Sequence, residues 1–130
     1  MTTSVALSVH VDRAPAQVYD FIVHPPNLAL WAAGLGAGPR QVDGRWQVRM
    51  GDEIVGVEFV PRNAFGIADH YVTFPDGRRF HNPLRVTAEG EGSRVTFTVN
   101  RDPELDDAAF ARDQASVQRD LEKLKSVLEG

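Results

Sequence analysis

The sequence of 130 residues contains no cysteine, which excludes disulfides, thiolate nucleophiles and zinc–thiolate sites. No apolar run approaches the roughly 20 residues of a membrane-spanning helix, and residues 1–9 lack the basic and long apolar regions of a signal peptide. A basic face for nucleic acid is also missing, because the formal net charge is -4 and the arginines are scattered. We therefore expect a cytoplasmic protein with no membrane span and no nucleic-acid partner.

Sequence signatures of cofactor and metal chemistry are equally scarce. The segment GLGAGP (34–39) lacks the third glycine of G-x-G-x-x-G and follows a predicted helix, so we interpret it as a loop. No G-x-S-x-G motif of a serine hydrolase occurs. No H-x-H or H-E-x-x-H spacing connects the four histidines, His10, His24, His70 and His81. The sequence therefore predicts no cofactor and no metal site.

The first forty residues predict a strand followed by a broken helix. Residues 4–12 alternate between apolar and polar side chains, as in a half-buried strand. Pro15 suits the first position of a helix, and His24-Pro25-Pro26 must end that helix because a residue before proline avoids the α region. A second short helix through Trp31 follows. Two short helices joined at a proline corner can turn sharply and close one end of a curved sheet.

Residues 45–101 predict five antiparallel strands joined by tight turns, and Asp106 then begins a long helix as its N-cap. Apolar side chains recur along this helix at spacings of three and four residues, with Gln114 as an interruption. No repeat or linker divides the chain, so we expect one domain over residues 1–130. A helix with one apolar stripe needs a sheet face to cover it.

This order of elements, with APAQVYDFI, the proline corner, PNLALW, a meander and a long closing helix, resembles the START-like helix-grip (SRPBCC) superfamily. That superfamily includes pollen-allergen-like proteins, lipid-transfer domains and the polyketide cyclase/dehydrase group. The resemblance covers nearly the whole chain. It implies an α+β fold in which a curved antiparallel sheet of about six strands wraps round the C-terminal helix and encloses an apolar cavity.

The turns predict which side chains face that cavity, because turn length sets the register of a hairpin. The GD turn pairs Met50 with Glu53, and the PDG turn pairs Phe74 with Arg78. A four-residue GEGS turn would pair Glu89 with Arg94, and the loop before Gly66 would pair Phe59 with Ala68. One sheet face is then apolar with a few polar groups, and the other face is polar and exposed.

We expect this apolar face to bind a small apolar molecule, including lipid-like ligands. The predicted walls are Trp31, Trp46, Phe59, Val72, Phe80 and Leu84, and the predicted polar contacts are His70, Asn82 and Arg101. His70 and Asn82 could equally satisfy each other or a buried water.

Two alternatives stay open at this point. One is a cyclase or dehydratase that uses His70 as a catalytic general base, without Asp69 or Tyr71, which alternation sends to the opposite face. The other is an interaction module with a filled core. We expect a monomer or a homodimer.

Overall fold

The computed structural model describes residues 4–32 and 37–130. Within these ranges it contains three α-helices: α1 (Pro15–Ile22), α2 (Leu28–Trp31) and α3 (Asp107–Glu129), with a 3₁₀ turn at Pro25–Asn27 before α2. The strands are β1 (Ser4–Val11), β2 (Ala37–Val42), β3 (Arg45–Met50), β4 (Glu53–Phe59), β5 (His70–Thr73), β6 (Arg79–Asn82), β7 (Leu84–Glu89) and β8 (Gly92–Asn100). The predicted α+β helix-grip fold is confirmed, with two short helices early and one long helix last.

The strands form two antiparallel sheets that share one curved surface. The first sheet has the order β1-β8-β7, and the second has the order β2-β3-β4-β5-β6. They meet where Pro83 separates β6 from β7, a position at which the ladder loses an N–H donor. Asn100 Nδ2 donates to the carbonyl oxygen of His81 at 3.1 Å and ties the two sheets together there. Pro83 therefore marks the boundary between the two sheets.

The structure contains two more strands than the sequence predicted. One arises because Pro83 divides residues 78–89, one of the five strands predicted within residues 45–101, into β6 and β7. The other is β2, which pairs with β3 although its sequence AGPRQV is rich in turn residues. Residues 37–39 of the predicted loop 34–39 thus belong to a strand, and residues 34–36 lie outside the described part of the chain.

The predicted hairpin registers are confirmed at two turns and corrected at two positions. Met50 pairs with Glu53, and His70 pairs with Asn82, as expected. The β7–β8 turn has two residues instead of four, so Leu84 pairs with Phe97 and not with Val99. Phe59 likewise pairs with His70 and not with Ala68. Both shifts are of two residues, which leaves every side chain on its predicted face.

Helix α3 begins at the predicted cap and packs its second half against the sheet. The Asp106 side chain accepts a hydrogen bond from the backbone N–H of Ala109 at 2.7 Å. Leu121 and Leu124 are fully buried and belong to the core cluster that also contains Val11 of β1 and Val18 of α1. The core members with no exposed surface are Val11, Val18, Ile22, Val55, Ala68, Leu84, Val95, Leu121 and Leu124.

Candidate ligand-binding cavity

A cavity of about 260 Å³ lies between the sheets, α2 and the first part of α3. Its lining comes from every layer of the fold: Leu28, Trp31, Ala32, Met50, His70, Val72, Phe74, Phe80, Asn82, Phe97, Val99, Asn100, Asp102, Leu105, Asp113, Ser116, Val117 and Asp120. The cavity exists because the proline corner holds α2 beside α3 at one end of the curved sheet.

The sheet side of the cavity is mainly apolar and aromatic. Phe74 and Phe80 meet edge to face, with ring centroids 5.5 Å apart, and Val72 is buried beside them. Phe97 and Val99 of β8 continue this wall. Such a surface binds apolar groups by removing them from water.

His70 brings an imidazole to this apolar wall. The residue is 2% exposed, and its ring lies against those of Phe59 and Phe97 at centroid distances of 5.2 and 5.9 Å. Nδ1 is 3.4 Å from the carbonyl oxygen of Ala68, and Nε2 is 3.4 Å from Asn82 Nδ2. Burial lowers the pKa of His70 to about 4, so the ring is neutral near pH 7.

These two contacts bear on whether His70 and Asn82 satisfy each other or can contact a ligand. Because the Ala68 carbonyl can only accept, Nδ1 carries the proton there and Nε2 accepts from the amide of Asn82. Both distances are longer than an ordinary hydrogen bond. His70 and Asn82 therefore satisfy each other only weakly, and both line the cavity.

The acid next to His70 in sequence lies on the opposite sheet face, as alternation predicted. Asp69 is 5% exposed and accepts hydrogen bonds from Leu84 N at 3.0 Å, Arg85 Nε at 2.8 Å and His81 Nε2 at 3.0 Å. Burial alone would raise the pKa of Asp69, but these hydrogen bonds outweigh it and lower the pKa to about 2. Asp69 is thus a structural carboxylate, and no His70–Asp69 dyad exists.

The helix side of the cavity is polar. Asp113, Ser116, Val117 and Asp120 lie at spacings of three, four and seven residues, which places them on one helix face, and all four line the cavity. Asp102, in the segment before α3, lines it too. Partial burial raises the pKa of Asp113. Val117 belongs to the predicted apolar stripe of α3, whereas Asp113, Ser116 and Asp120 are polar positions outside that stripe and were therefore not predicted to line the cavity.

The structure brings together five of the nine predicted ligand-binding residues. Trp31, His70, Val72, Phe80 and Asn82 line the cavity.

The other four predicted residues lie elsewhere. Trp46 and Phe59 line a second, more open hollow beside Val23. Leu84 is fully buried in the core. Arg101 does not line the cavity, because its guanidinium pairs with Asp107 at 2.8 Å and donates to the carbonyl oxygen of Leu105 at 3.1 Å.

Two classes of site find no candidate in the described residues. No three His, Asp or Glu side chains within residues 4–32 and 37–130 come together as a metal-binding group. None of the helices in these ranges is both long and apolar enough to cross a membrane.

A curved antiparallel sheet gripping a long C-terminal helix, with an apolar cavity between them, defines a helix-grip protein. The chain belongs to the family described as polyketide cyclase / dehydrase and lipid transport, whose profile matches residues 2–129. No curated protein matches the sequence.

Solved structures share this fold at low sequence identity. DynU16, from the dynemicin biosynthetic locus, is 19% identical with a TM-score of 0.74, and the match covers 99% of this chain and 48% of DynU16. This chain therefore spans about half the length of DynU16. Protein CV1439 from Chromobacterium violaceum is 13% identical, with 99% of each chain covered and a TM-score of 0.73. The Aha1 dimer from Colwellia psychrerythraea is 14% identical, with 98% of this chain and 97% of that chain covered and a TM-score of 0.68.

Proposed function

We propose that this protein binds a small hydrophobic molecule in the cavity between the sheets and α3. The observation that carries the proposal is a cavity of about 260 Å³ whose sheet side is aromatic and aliphatic, with His70 and Asn82 as polar groups within it. Ligand sites typically combine apolar walls with a few polar groups that fix orientation, in volumes of roughly 300–1,000 Å³. The volume here is slightly below that range, which favours a ligand of one or two rings.

The size of the cavity argues against an interaction module with a filled core. Close-packed interiors leave few voids larger than a water molecule, and one water occupies about 30 Å³ in the liquid. A space of about 260 Å³ lined by Val72, Phe80 and Phe97 exceeds an ordinary packing defect. Its aromatic lining supports an apolar occupant.

The surroundings of His70 favour binding over general-base catalysis. A general base is most effective when its pKa lies near the working pH, whereas burial lowers the pKa of His70 to about 4. The neighbouring carboxylate, Asp69, raises the pKa of His70 by less than burial lowers it, since Asp69 is turned away and hydrogen-bonded to Arg85. We therefore infer that His70 and Asn82 orient a ligand through hydrogen bonds. Cytoplasmic location and a monomeric or homodimeric state stay predictions.

The first test asks whether ligands bind in this cavity. Native mass spectrometry of freshly purified protein looks for a bound small molecule, and thermal shift is then measured with a panel of neutral one- and two-ring aromatic compounds. We expect a co-purifying mass or a rise in melting temperature. Ser116→Trp should abolish that shift, because residue 116 lines the cavity.

The matched control is Ser126→Trp on the exposed side of the same helix, which should keep the shift. Circular dichroism establishes that both variants are folded. No bound mass and no shift in wild type, or an equal shift in Ser116→Trp, would overturn the proposal.

A second measurement addresses His70 directly. His70→Ala should weaken a hydroxyl-bearing ligand roughly two- to tenfold, the range expected for one lost hydrogen bond. Unchanged affinity would limit His70 to a structural role.

A further inference from the structure

Trp31 carries a buried hydrogen-bond donor that has no acceptor. The residue is 3% exposed, ends helix α2 and lines the cavity. Within residues 4–32 and 37–130, its indole Nε1 is the one buried side-chain nitrogen or oxygen atom without a hydrogen bond. Buried donors in folded proteins are normally paired, and an unpaired one lowers stability. The cavity is therefore bordered by a residue whose N–H group needs an acceptor.

Three buried polar residues elsewhere in the described chain show the usual pattern. The carboxylate of Asp69 accepts from Arg85 Nε at 2.8 Å. Ser93 Oγ donates to the carbonyl oxygen of Arg13 at 2.7 Å. His70 has a weak contact on each ring nitrogen. Among these groups, only the Trp31 indole combines a place at the cavity with a complete lack of partners.

The surroundings of the cavity favour a neutral acceptor over a carboxylate. The described lining contains neither lysine nor arginine, and burial keeps His70 neutral near pH 7. A ligand carboxylate would enter without a cation to pair with, and removing a charge from water is costly in that case. A carbonyl or ether oxygen accepts a hydrogen bond and brings no charge into the site.

The position of the N–H group also defines how a ligand reaches it. In this conformation Nε1 is too enclosed for a water molecule to contact it. A ligand oxygen therefore pairs with it only after a small rotation of the indole towards the cavity. The N–H gives up no hydrogen bond to a described residue when the ring turns, so the rotation costs packing contacts alone.

We propose that Trp31 is a specificity-determining residue of this cavity, whose indole turns on ligand binding and donates a hydrogen bond to a neutral acceptor oxygen. The apolar body of the ligand packs against Val72, Phe80 and Phe97. This inference rests on the proposed function and specifies the chemical class of its ligand: an uncharged, apolar molecule that carries a carbonyl or ether oxygen.

The first experiment compares two compounds of nearly the same shape, 1-acetonaphthone and 2-(1-naphthyl)propene. The ketone carries an acceptor oxygen where the alkene carries a CH₂ group. The sequence contains two tryptophans, so 15N-labelled protein gives two indole N–H signals in NMR spectra, and Trp46→Phe assigns them. We expect the indole proton of Trp31 to move further downfield with the ketone, because a hydrogen bond deshields it while the two naphthalene rings affect it alike. The Trp46 signal should not distinguish the two compounds.

Affinities then assign the preference to the Trp31 N–H group. Isothermal titration calorimetry gives the dissociation constants of both compounds. Trp31→Phe should lower the preference for the ketone over the alkene roughly three- to tenfold, the range expected for one lost hydrogen bond. Packing lost with the smaller ring affects both compounds and cancels in the ratio. Trp46→Phe is the matched control and should keep the wild-type ratio, because Trp46 lines the second hollow and not the cavity.

The outcomes separate the two proposals. If neither compound binds wild type, the proposed function fails. If both bind but the Trp31 proton takes the same position with each, or Trp31→Phe keeps the wild-type ratio, only the inference about Trp31 fails. It also fails if the Trp46 signal, and not that of Trp31, distinguishes the compounds. If circular dichroism shows that Trp31→Phe does not fold, the wild-type spectra decide alone.

Discussion

The two halves of α3 face interiors of opposite character. In the second half, Leu121 and Leu124 have no exposed surface and belong to the same core cluster as Val11 of β1 and Val18 of α1. In the first half, Asp113 and Ser116 line a cavity of about 260 Å³. We name these regions the packed half and the hollow half. One helix thus closes the core at one end and leaves space for a ligand at the other.

Both sheets contribute side chains to the cavity beside the hollow half, whereas the packed half lies against β1. β1 belongs to the three-stranded sheet and holds the packed half in place. Lys125 Nζ of α3 donates a hydrogen bond to the carbonyl oxygen of His10 in β1 at 2.9 Å. The five-stranded sheet supplies His70 and Phe80 to the hollow half. We infer that the packed half contributes most of the free energy of unfolding, and that the hollow half can therefore tolerate an imperfectly filled, polar interior.

The largest expected effect compares the same substitution in the packed half and at the cavity, just before the hollow half begins. Leu121→Ala should lower the free energy of unfolding by about 2–5 kcal/mol, because it leaves a void in a fully packed site. Leu105→Ala, beside the existing cavity, should cost about 1 kcal/mol, because that site already lacks partner atoms on one side. Urea denaturation of both variants measures the difference. Equal losses would contradict the division.

The next effect is a pH dependence that arises in the hollow half. The pKa of His70 is about 4 in the folded protein and near its ordinary value, about 6.5, in the unfolded chain. Between these values only the unfolded chain binds the proton. The free energy of unfolding therefore falls as pH drops from about 6.5 to about 4, by on the order of 2 kcal/mol at pH 5.

Urea denaturation at pH 7, 6 and 5 tests this dependence. His70→Gln should flatten the pH profile over that interval, whatever its effect on stability at pH 7. His24→Gln, at an exposed position, serves as the control and should keep the wild-type slope. A His70→Gln protein with the wild-type slope would show that another group causes the dependence.

The fold and the sheet side of the cavity were largely predictable from sequence, because strand alternation and turn residues determine which face a side chain occupies. The predicted pairing partners of Leu84 and Phe59 were wrong by two residues. The predicted sheet face of each side chain was still correct, because side chains alternate between the two faces with a period of two residues. His70 and Asn82 were therefore placed correctly beside the cavity. Strand β2 was missed because its Gly38-Pro39 sequence is typical of a turn.

The helix side could not be predicted by the same argument. An apolar stripe on α3 predicts that polar positions outside it, such as Asp113 and Asp120, face solvent. A helix that borders a cavity breaks this assumption, because polar groups there can face inward. Arg101 was placed in the cavity by extending the sheet face, but the chain leaves β8 at Asn100 and its guanidinium turns to Asp107.

The smallest effect concerns how the two ends of α3 are held. Asp106→Ala removes the hydrogen bond to Ala109 N and should lower the free energy of unfolding by about 1 kcal/mol, whereas Asp106→Asn should restore most of it. Because Leu105 and Asp102 precede this cap and line the cavity, Asp106→Ala should also weaken the binding of a neutral two-ring aromatic compound. At the other end, Glu129→Gln loses its ion pair with Lys125 and should reduce stability by a similar or smaller amount with unchanged ligand affinity. Denaturation and calorimetry on the same samples measure both quantities. If both variants weaken binding alike, the cavity depends on the whole helix and the hollow half is not a separate unit.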